Sequence, residues 1–369
     1  MSKAAELASL IGNINAGGGG VNRNLVINGA MNVAQRGTSN GGTSSEGYKL
    51  TDRWKQTNDN TSATWSHTQS TDVPSGQGFA YSYKIAPGSA DTSLASNCQI
   101  RLEHRWEGQN LQHLKKGTSN AESTTLSFWV KSVQTGTFVV NLQDTDNSRL
   151  IAKTYTVNAS NTWEKKIINF AGDTTGALTN DNNLSMVLHF YLSAGSDYTS
   201  GTLATSWASI TNANRAAGQT VDLASSTSNA FYLTGVQWEL GQNPTEFEHE
   251  PFDKTLRKCQ RYYQRYITDA TFDYGGIATA IGSTARWYIP FPLDGPMRTD
   301  VTLSYSDVSH FRLTLQHSDN NTATAFVVSY NHHERPMLGA TAGSNSAGAL
   351  RMFGFNGNAS AYFALDAEL

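Results

Sequence analysis

Carboxylate side chains are the first candidates for chemistry in this chain, because cleavage of a glycosidic bond needs two of them about 5 to 10 Å apart. One of the pair must also lie where its pKa is raised. The 369 residues include 30 Asp and Glu, but no spacing among them marks such a pair. The short, regular repeats of a depolymerising β-helix are also missing from the sequence. We therefore predict no catalytic residues and no enzyme activity, with glycan hydrolysis as the alternative.

Two short motifs contain residue types that bind metals. The run DTDN at 144–147 begins like a calcium loop but lacks the Gly and Glu that complete one, so we interpret it as a hairpin tip. His332, His333 and Glu334 are adjacent and point in different directions, and they would need the threefold axis of a trimer to surround one ion. No phosphate-binding or dinucleotide fingerprint occurs in the sequence. We predict no bound metal and no cofactor.

Sugar binding would need exposed aromatic rings flanked by amides or carboxylates. Four aromatic residues in segments with few other apolar residues are therefore candidates for glycan-binding rings: Trp65, Trp106, Tyr198 and Trp207. The alternative for each of them is the core or an oligomer interface. Four further residues lie in alternating segments, where we predict core positions: Trp54, Trp129, Trp163 and Trp238.

The composition is typical of an all-β protein with a polar, uncharged surface. Only 15% of the residues are charged, 38% are hydrophobic, and there are 32 glycines. The net charge of -3 argues against a nucleic-acid partner. Because the sequence shows neither a signal peptide nor a long apolar run, we expect synthesis in a cytoplasm and no membrane insertion. Cys98 and Cys259 are expected to be free thiols.

The elements that would position any site are mainly short strands. Leu126, Phe128 and Val130 alternate with polar or aromatic neighbours, and similar runs recur from Ala63 to Leu240 with polar turns between them. This pattern predicts a jelly-roll β-sandwich over residues 21–250. The composition after residue 268 stays β-like and predicts a second, smaller β domain over 269–369.

Two helices are expected outside the strands. Leu7, Leu10, Ile11 and Ile14 form one apolar stripe on a short amphipathic helix. One stripe on about three turns needs a partner, so we predict that residues 1–20, with their four-glycine linker, anchor the chain in a larger assembly. The alternative is a frayed terminus packed on its own domain.

The second helix is predicted within the connector at 251–268, after Pro244 and Pro251. Asp253 is the expected N-cap, and the basic residues of the connector are interpreted as a solvated flank that contributes to assembly. The expected connector and assembly residues are Asp253, Arg257, Arg261 and Arg265.

Several segments occur in an order that resembles a bacteriophage family. These segments are SKAAELASLIGNI, NLVINGAMNVAQRG, TTLSFWVKSVQTGTFVVNLQ, TYTVNASNTWEKKIINFAGDTTG and FYLTGVQWELGQNPTEFEHEPFDKTLRKCQRYYQRY. Together they resemble a jelly-roll family of phage virion proteins, chiefly tail fibres, whose fold looks like a carbohydrate-binding module. The opening segments are similar to those of podovirus-like phages, particularly marine ones. The resemblance covers most of residues 1–266 and implies a homotrimer located on the virion that binds glycans without cleaving them.

The resemblance leads to a functional hypothesis. We expect a structural virion protein, a homotrimeric tail fibre or adhesin, that attaches to the tail or to other virion proteins through its N-terminus. Its distal part is expected to contact a glycan on the host surface. The alternatives are a capsid-associated fibre or decoration protein of the same fold, and a glycan hydrolase on the virion.

Overall fold

A computed structural model describes residues 3–4, 22–267, 274–280, 286–290, 293–314, 321–341, 349–355 and 360–369. The chain divides into two compact units, residues 1–255 with Leu369 and residues 256–368. The predicted anchor residues Leu7, Leu10, Ile11 and Ile14 lie outside the described residues, so the anchor stays a prediction.

The described part of the first unit consists mainly of strands. They are β1 (Ser39–Thr43), β2 (Gly47–Tyr48), β3 (Trp54–Asp59), β4 (Thr64–Ser70), β5 (Ser82–Ser89), β6 (Gln99–Glu107), β7 (Thr124–Ser132), β8 (Gly136–Asp144), β9 (Arg149–Val157), β10 (Glu164–Phe170), β11 (Leu184–Ala194), β12 (Ala208–Ser209) and β13 (Phe231–Leu240). One helical turn, α1 (Ser196–Thr199), follows β11, and short 3-10 turns lie at Gly108–Asn110, Gln112–Leu114, Asn212–Asn214 and Leu223–Ser225.

These strands form two antiparallel sheets that enclose one core. The front sheet has the order β1-β4-β5-β13-β7-β10, and the back sheet has the order β12-β9-β8-β11-β6-β3-β2. Strands that are neighbours in a sheet are often distant in sequence, as where β13 lies between β5 and β7. The chain thus passes between the two sheets, since β6 of the back sheet follows β5 and precedes β7 in the sequence. This is the arrangement of a jelly-roll sandwich, and it confirms the predicted fold class.

Strand alternation decides which side chains enter this core. In β7, Leu126, Phe128 and Val130 are fully buried between the sheets. The residues between them face the other way, because successive side chains of a strand point to opposite faces. Burying one large apolar side chain contributes about 1.5–3 kcal/mol. A one-residue shift in pairing would move all three of these side chains out of the core, so the register is strongly fixed.

The outer face of the back sheet carries a buried ionic network around Glu103. Arg105 and Arg101 place guanidinium nitrogens 2.8 and 3.1 Å from the Glu103 carboxylate, and the Thr57 hydroxyl donates to it over 2.7 Å. Burial would raise the pKa of Glu103, but the positively charged neighbours outweigh this effect and lower it to about 2. The carboxylate is therefore ionised and held from several sides.

A long loop covers part of this back face. The loop residues Tyr198 and Ala216 join a small apolar cluster with side chains of β8, β9 and β11. The Asn141 side chain in β8 donates to the Arg215 carbonyl over 3.1 Å, and the Arg215 guanidinium donates to Gln143 over 3.0 Å. The loop thus closes this region of the face.

The second unit is a smaller β domain, as predicted. Helix α2 (Phe252–Gln260) spans the boundary between the units, and the described strands that follow are β14 (Tyr263–Ile267), β15 (Tyr274–Ala280), β16 (Arg286–Pro290), β17 (Thr302–Tyr305), β18 (Phe311–Thr314), β19 (Asn321–Thr322), β20 (Ala325–Tyr330), β21 (Met337–Thr341), β22 (Leu350–Phe355) and β23 (Tyr362–Asp366). A 3-10 turn lies at Val308–His310. The described strands of this unit form two sheets, with the orders β14-β23-β17 and β19-β18-β22-β15-β16-β21-β20. Phe311, Phe326 and Phe363 pack in its aromatic core.

The predicted connector helix is shorter than expected. It ends at Gln260, and the next residues form β14, which pairs with β23 from Tyr263↔Asp366 to Ile267↔Tyr362. The prediction that the helix continues through Tyr263 and Tyr266 was wrong, because the strand that pairs with these residues lies about a hundred residues later in the sequence. Asp253 lies inside the first turn and is not the N-cap, although a carboxylate there still favours the helix dipole.

The described helices are all too short or too polar to cross a bilayer.

Candidate functional site

The outer face of the front sheet, here called the open face, gathers aromatic and basic side chains. In the register of the sheet, Tyr232 of β13 lies between Lys84 of β5 and Lys131 of β7. One step along the strands, Trp129 pairs with Lys165 of β10. Because paired residues share a face, these side chains form two rows across the sheet.

A cleft opens on this face beside Trp129. It has a volume of about 130 Å³, and its lining residues are Gln77, Phe79, Ser127, Trp129, Lys165, Gly235, Glu246, Phe247 and His249. Ligand sites combine apolar and aromatic walls with a few placed polar groups, and this cleft has both. It is smaller than a typical small-molecule pocket of about 300 Å³ or more, so it suits one unit of a longer chain lying across the sheet.

The aromatic wall of the cleft is a packed cluster. The ring centroid of Phe79 lies 5.0 Å from that of Phe247 and 5.2 Å from the His249 ring, and Phe247 and His249 are 4.9 Å apart. The pairs that Phe247 forms with Phe79 and with His249 are edge-to-face, and such aromatic pairs add about 0.5–1.5 kcal/mol each. The wall is therefore pre-formed.

A bulge in β13 makes room for this wall. The pairing of β13 with β7 shifts register between Thr234 and Gln237, and Gly235 has a φ of +59°. A Cβ at Gly235 would lie 2.5 Å from the Phe79 ring. Glycine is thus required both for the left-handed backbone and for the close approach of Phe79.

Buried polar side chains of β13 hold the segment that carries Phe247 and His249. The Glu239 carboxylate accepts from the Thr245 amide over 2.8 Å and from its hydroxyl over 2.6 Å. The Gln237 side-chain oxygen accepts from the Glu248 amide over 2.8 Å. Gln237 and Glu239 are almost fully buried, so these bonds fix the segment against the sheet.

The row that contains Tyr232 includes an ion pair enclosed by rings. Lys131 pairs with Asp72, and its ammonium lies 4.3 Å from the Tyr232 ring centroid and 5.7 Å from that of Trp163. The Trp163 indole N–H donates to Asp72 over 3.0 Å. Burial would raise the pKa of Asp72, but the hydrogen bonds from Lys131 and Trp163 outweigh it and lower the pKa. Asp72 is therefore an ionised acceptor, and it does not fit the role of a general acid.

The four predicted glycan-binding residues do not lie on the open face. Trp65, Trp106 and Tyr198 are buried, at 0, 3 and 9% exposure. Trp207 is half-buried, its indole N–H donates to the Ala171 carbonyl over 2.7 Å, and its ring covers the Lys116 ammonium at 5.2 Å. The three buried residues therefore follow the alternative stated for them, the core, and do not offer an exposed ring to a sugar.

The polar neighbours of Trp65 and Trp106 have a simple explanation. Trp106 follows Ile100, Leu102 and His104 on the inner face of β6, and the charged residues between them belong to the outer face. A strand with four charged residues among nine can therefore bury its tryptophan. Counting apolar neighbours missed this, whereas alternation would have found it.

Strand alternation also explains why two of the four tryptophans predicted to lie in the core are found on the open face. Trp54 and Trp238 are fully buried, as predicted. Trp129 is partly exposed, because it lies between Phe128 and Val130, which point inward. Trp163 is also partly exposed, just before β10. A tryptophan out of phase with the core residues of its strand was the available signal.

The DTDN run is a hairpin tip between β8 and β9, as predicted. Asp144 is fully buried and pairs with the Lys116 ammonium, which also lies 2.9 Å from Asp173 and donates to the Gly176 carbonyl over 2.8 Å. An internal lysine thus satisfies these oxygens. No group of three His, Cys, Asp or Glu side chains within the described ranges is arranged to hold a metal.

The connector residues are distributed over three environments. Arg257 is exposed on α2, and the Arg261 carbonyl accepts from the Arg298 amide over 2.7 Å. In β14, the Arg265 guanidinium lies 4.3 Å above the Tyr362 ring. Their predicted role in assembly stays a prediction. Cys98 and Cys259 are buried free thiols, and burial raises the pKa of Cys98 to about 12.

No family model and no curated protein matches this sequence. Among solved structures, a family 4 carbohydrate-binding module is similar with a TM-score of 0.31 and 10% identity, over 58% of this chain and 99% of the module. A sugar-binding protein, described as putative, from Bacteroides thetaiotaomicron gives 0.30 and 11%, over 59% and 100% of the two chains. The enzymatically active domain of tailspike protein 4 from bacteriophage CBA120 gives 0.29 and 11%, over 51% of this chain and 19% of the tailspike. At this level of similarity, these structures assign neither a family nor a function to the chain.

Proposed function

We propose that this chain is a glycan-binding structural protein of a bacteriophage virion and that it binds sugar on the open face of its first unit. The observation that carries the glycan-binding part is the cleft, where Trp129 and the Phe79–Phe247 wall lie beside Lys165 and Glu246. The virion part is supported by the resemblance of the sequence segments quoted above. A homotrimeric tail fibre anchored through its N-terminal helix is the form that we propose.

The geometry favours binding over cleavage. The rings provide apolar surface for a sugar face, and the amide, carboxylate and ammonium groups at the rim provide hydrogen-bonding partners for hydroxyls. Asp72, the carboxylate that pairs with Lys131, is held ionised by Lys131 and Trp163, whereas glycosidases need one protonated carboxyl group.

The test is glycan binding by the purified full chain and by Trp129→Ala. We expect affinity gel electrophoresis on envelope polysaccharides to show at least about tenfold weaker binding for the variant, a loss of about 1.4 kcal/mol. Phe252→Ala is the control, because that ring is 57% exposed and does not line the cleft. Equal affinity of Trp129→Ala and the parent chain would exclude the open face as the site.

Two further measurements separate the alternatives. Gold-labelled antibody against the chain should mark the phage tail, and label confined to the capsid would favour the capsid-associated alternative. The pure protein should release no reducing sugar from a polysaccharide that it binds. Release that is lost on Glu246→Gln would identify a hydrolase.

A further inference from the structure

Lysine ammonium groups surround the rings of the open face. Lys84, Lys131 and Lys165 lie on this face through the register of β5 and β7 against β13 and of β10 against β7. The Lys84 ammonium lies 5.4 Å from the Tyr232 ring centroid, and Lys165 is exposed at the rim of the cleft. The basic groups are therefore interleaved with the rings.

Only one of the three lysines is neutralised in the described part of the chain. Lys131 is largely buried and pairs with Asp72. No carboxylate of the described residues pairs with Lys84 or Lys165. The open face therefore has two available ammonium groups, while the whole chain carries a net charge of -3. Two carboxylates lie near these lysines, since Lys84 contributes to the lowered pKa of Asp72 and Glu246 lines the cleft with Lys165. The three lysines outnumber these two carboxylates, so the open face keeps an excess of positive charge.

We propose that the glycan bound here is acidic and that the anionic group of one sugar unit contacts Lys84 or Lys165 while a neighbouring unit stacks on Trp129. This inference rests on the proposed function. A neutral glycan would use the rings and offer these ammonium groups only uncharged hydroxyl oxygens. A carboxylate, sulfate or phosphate group on the sugar would form a charge-assisted hydrogen bond, which is stronger than a neutral one.

The experiment compares matched probes that differ only in charge. Polygalacturonate, alginate and hyaluronate are each used before and after reduction of their carboxyl groups to alcohols. We expect the chain to bind at least one acidic form and to lose at least about tenfold in affinity on carboxyl reduction. Affinity for the acidic form should also fall between 50 and 500 mM NaCl, because salt screens exposed charges.

Variants assign the effect to the two lysines. The double variant Lys84→Gln, Lys165→Gln should lose about tenfold in affinity for the acidic probe and at most about twofold for the reduced probe, since glutamine can still hydrogen-bond to hydroxyls. Lys115→Gln is the control, because its side chain is 54% exposed and it does not line the cleft. An equal loss in Lys115→Gln would indicate non-specific attraction and overturn the proposal.

The two proposals fail in different ways. Equal binding of reduced and acidic probes, lost in Trp129→Ala, would overturn the acidic ligand and keep the glycan-binding function. Absence of binding to every probe and to envelope polysaccharide would overturn both.

Discussion

The two outer faces of the first unit are built by the same rule and differ in outcome. On each, polar and aromatic residues alternate with the core residues of their strands. On the back sheet, they form a network around Glu103, and the nearby loop closes over β8, β9 and β11. On the front sheet, Trp129, Trp163 and Tyr232 stay partly exposed around a cleft. What covers a face thus decides whether its polar set stabilises the fold or is available for binding.

The largest expected effect comes from disrupting the network on the outer face of the back sheet. Glu103→Gln should lower the free energy of unfolding by about 3–5 kcal/mol, because it leaves the Arg101 and Arg105 charges without their buried partner. Urea unfolding followed by tryptophan fluorescence measures the loss. Glu122→Gln is the control, since Glu122 pairs with the exposed Lys115 and should cost at most about 1 kcal/mol. A similar cost for both variants would contradict a stabilising network.

The second largest expected effect is a loss of folding stability at low pH. Burial lowers the pKa of His67 to about 3 and those of His104 and His189 well below their usual range. Below about pH 6.5 the unfolded chain binds protons that the folded chain does not, so stability falls as pH falls. Three such groups give a loss of roughly 4 kcal/mol between pH 7.5 and 5.5.

Urea midpoints at the two pH values measure this loss, and His189→Asn should reduce it by about a third. A stability that does not change between pH 7.5 and 5.5 would show that these rings are not kept neutral by the fold.

Distorting the open face should have a smaller effect on stability and a selective effect on binding. Gly235→Ala introduces both a strained φ and a contact with Phe79, so we expect about 2–3 kcal/mol of destabilisation and weaker glycan binding. Gly76→Ala is the matched control, because its φ is +74° and a Cβ there has no neighbour within 4 Å. It should cost about 1–2 kcal/mol and leave binding unchanged. Equal glycan affinity of both variants would show that the aromatic wall of the cleft does not contribute to glycan binding.

The smallest expected effect comes from increasing the positive charge of the open face. Asp72→Asn removes a carboxylate that is 43% exposed and leaves the mostly buried Lys131 ammonium with only the Tyr232 and Trp163 rings. We therefore expect a cost of about 1–2 kcal/mol, between those of breaking an exposed and a buried ion pair. The Lys131 ammonium would then add to those of Lys84 and Lys165, and affinity for an acidic glycan should rise about two- to threefold. Calorimetric titration with the acidic probe measures the gain, and a loss of affinity would instead make Asp72 a direct ligand of the sugar.

The amino-acid sequence by itself determined the β-sandwich, because the period-2 pattern of residues such as Leu126, Phe128 and Val130 is a local property of each strand. It also contained the clue to the site, since Trp129 is out of phase with these core residues. The glycan-binding prediction instead relied on the polarity of neighbouring residues, and it selected Trp65 and Trp106, which the core contains.

Tertiary structure alone decided the properties that depend on distant partners. The run from Tyr263 became a strand because Tyr362–Asp366 pairs with it. Lys116 satisfies Asp144 and Asp173, which are distant from it in the sequence. Phe79, Trp129 and Phe247 line one cleft, and Phe79 fits there because Gly235 in the β13 bulge has no side chain. Periodicity records the face to which a side chain points, but covering, pairing and cleft formation depend on segments far apart in the chain.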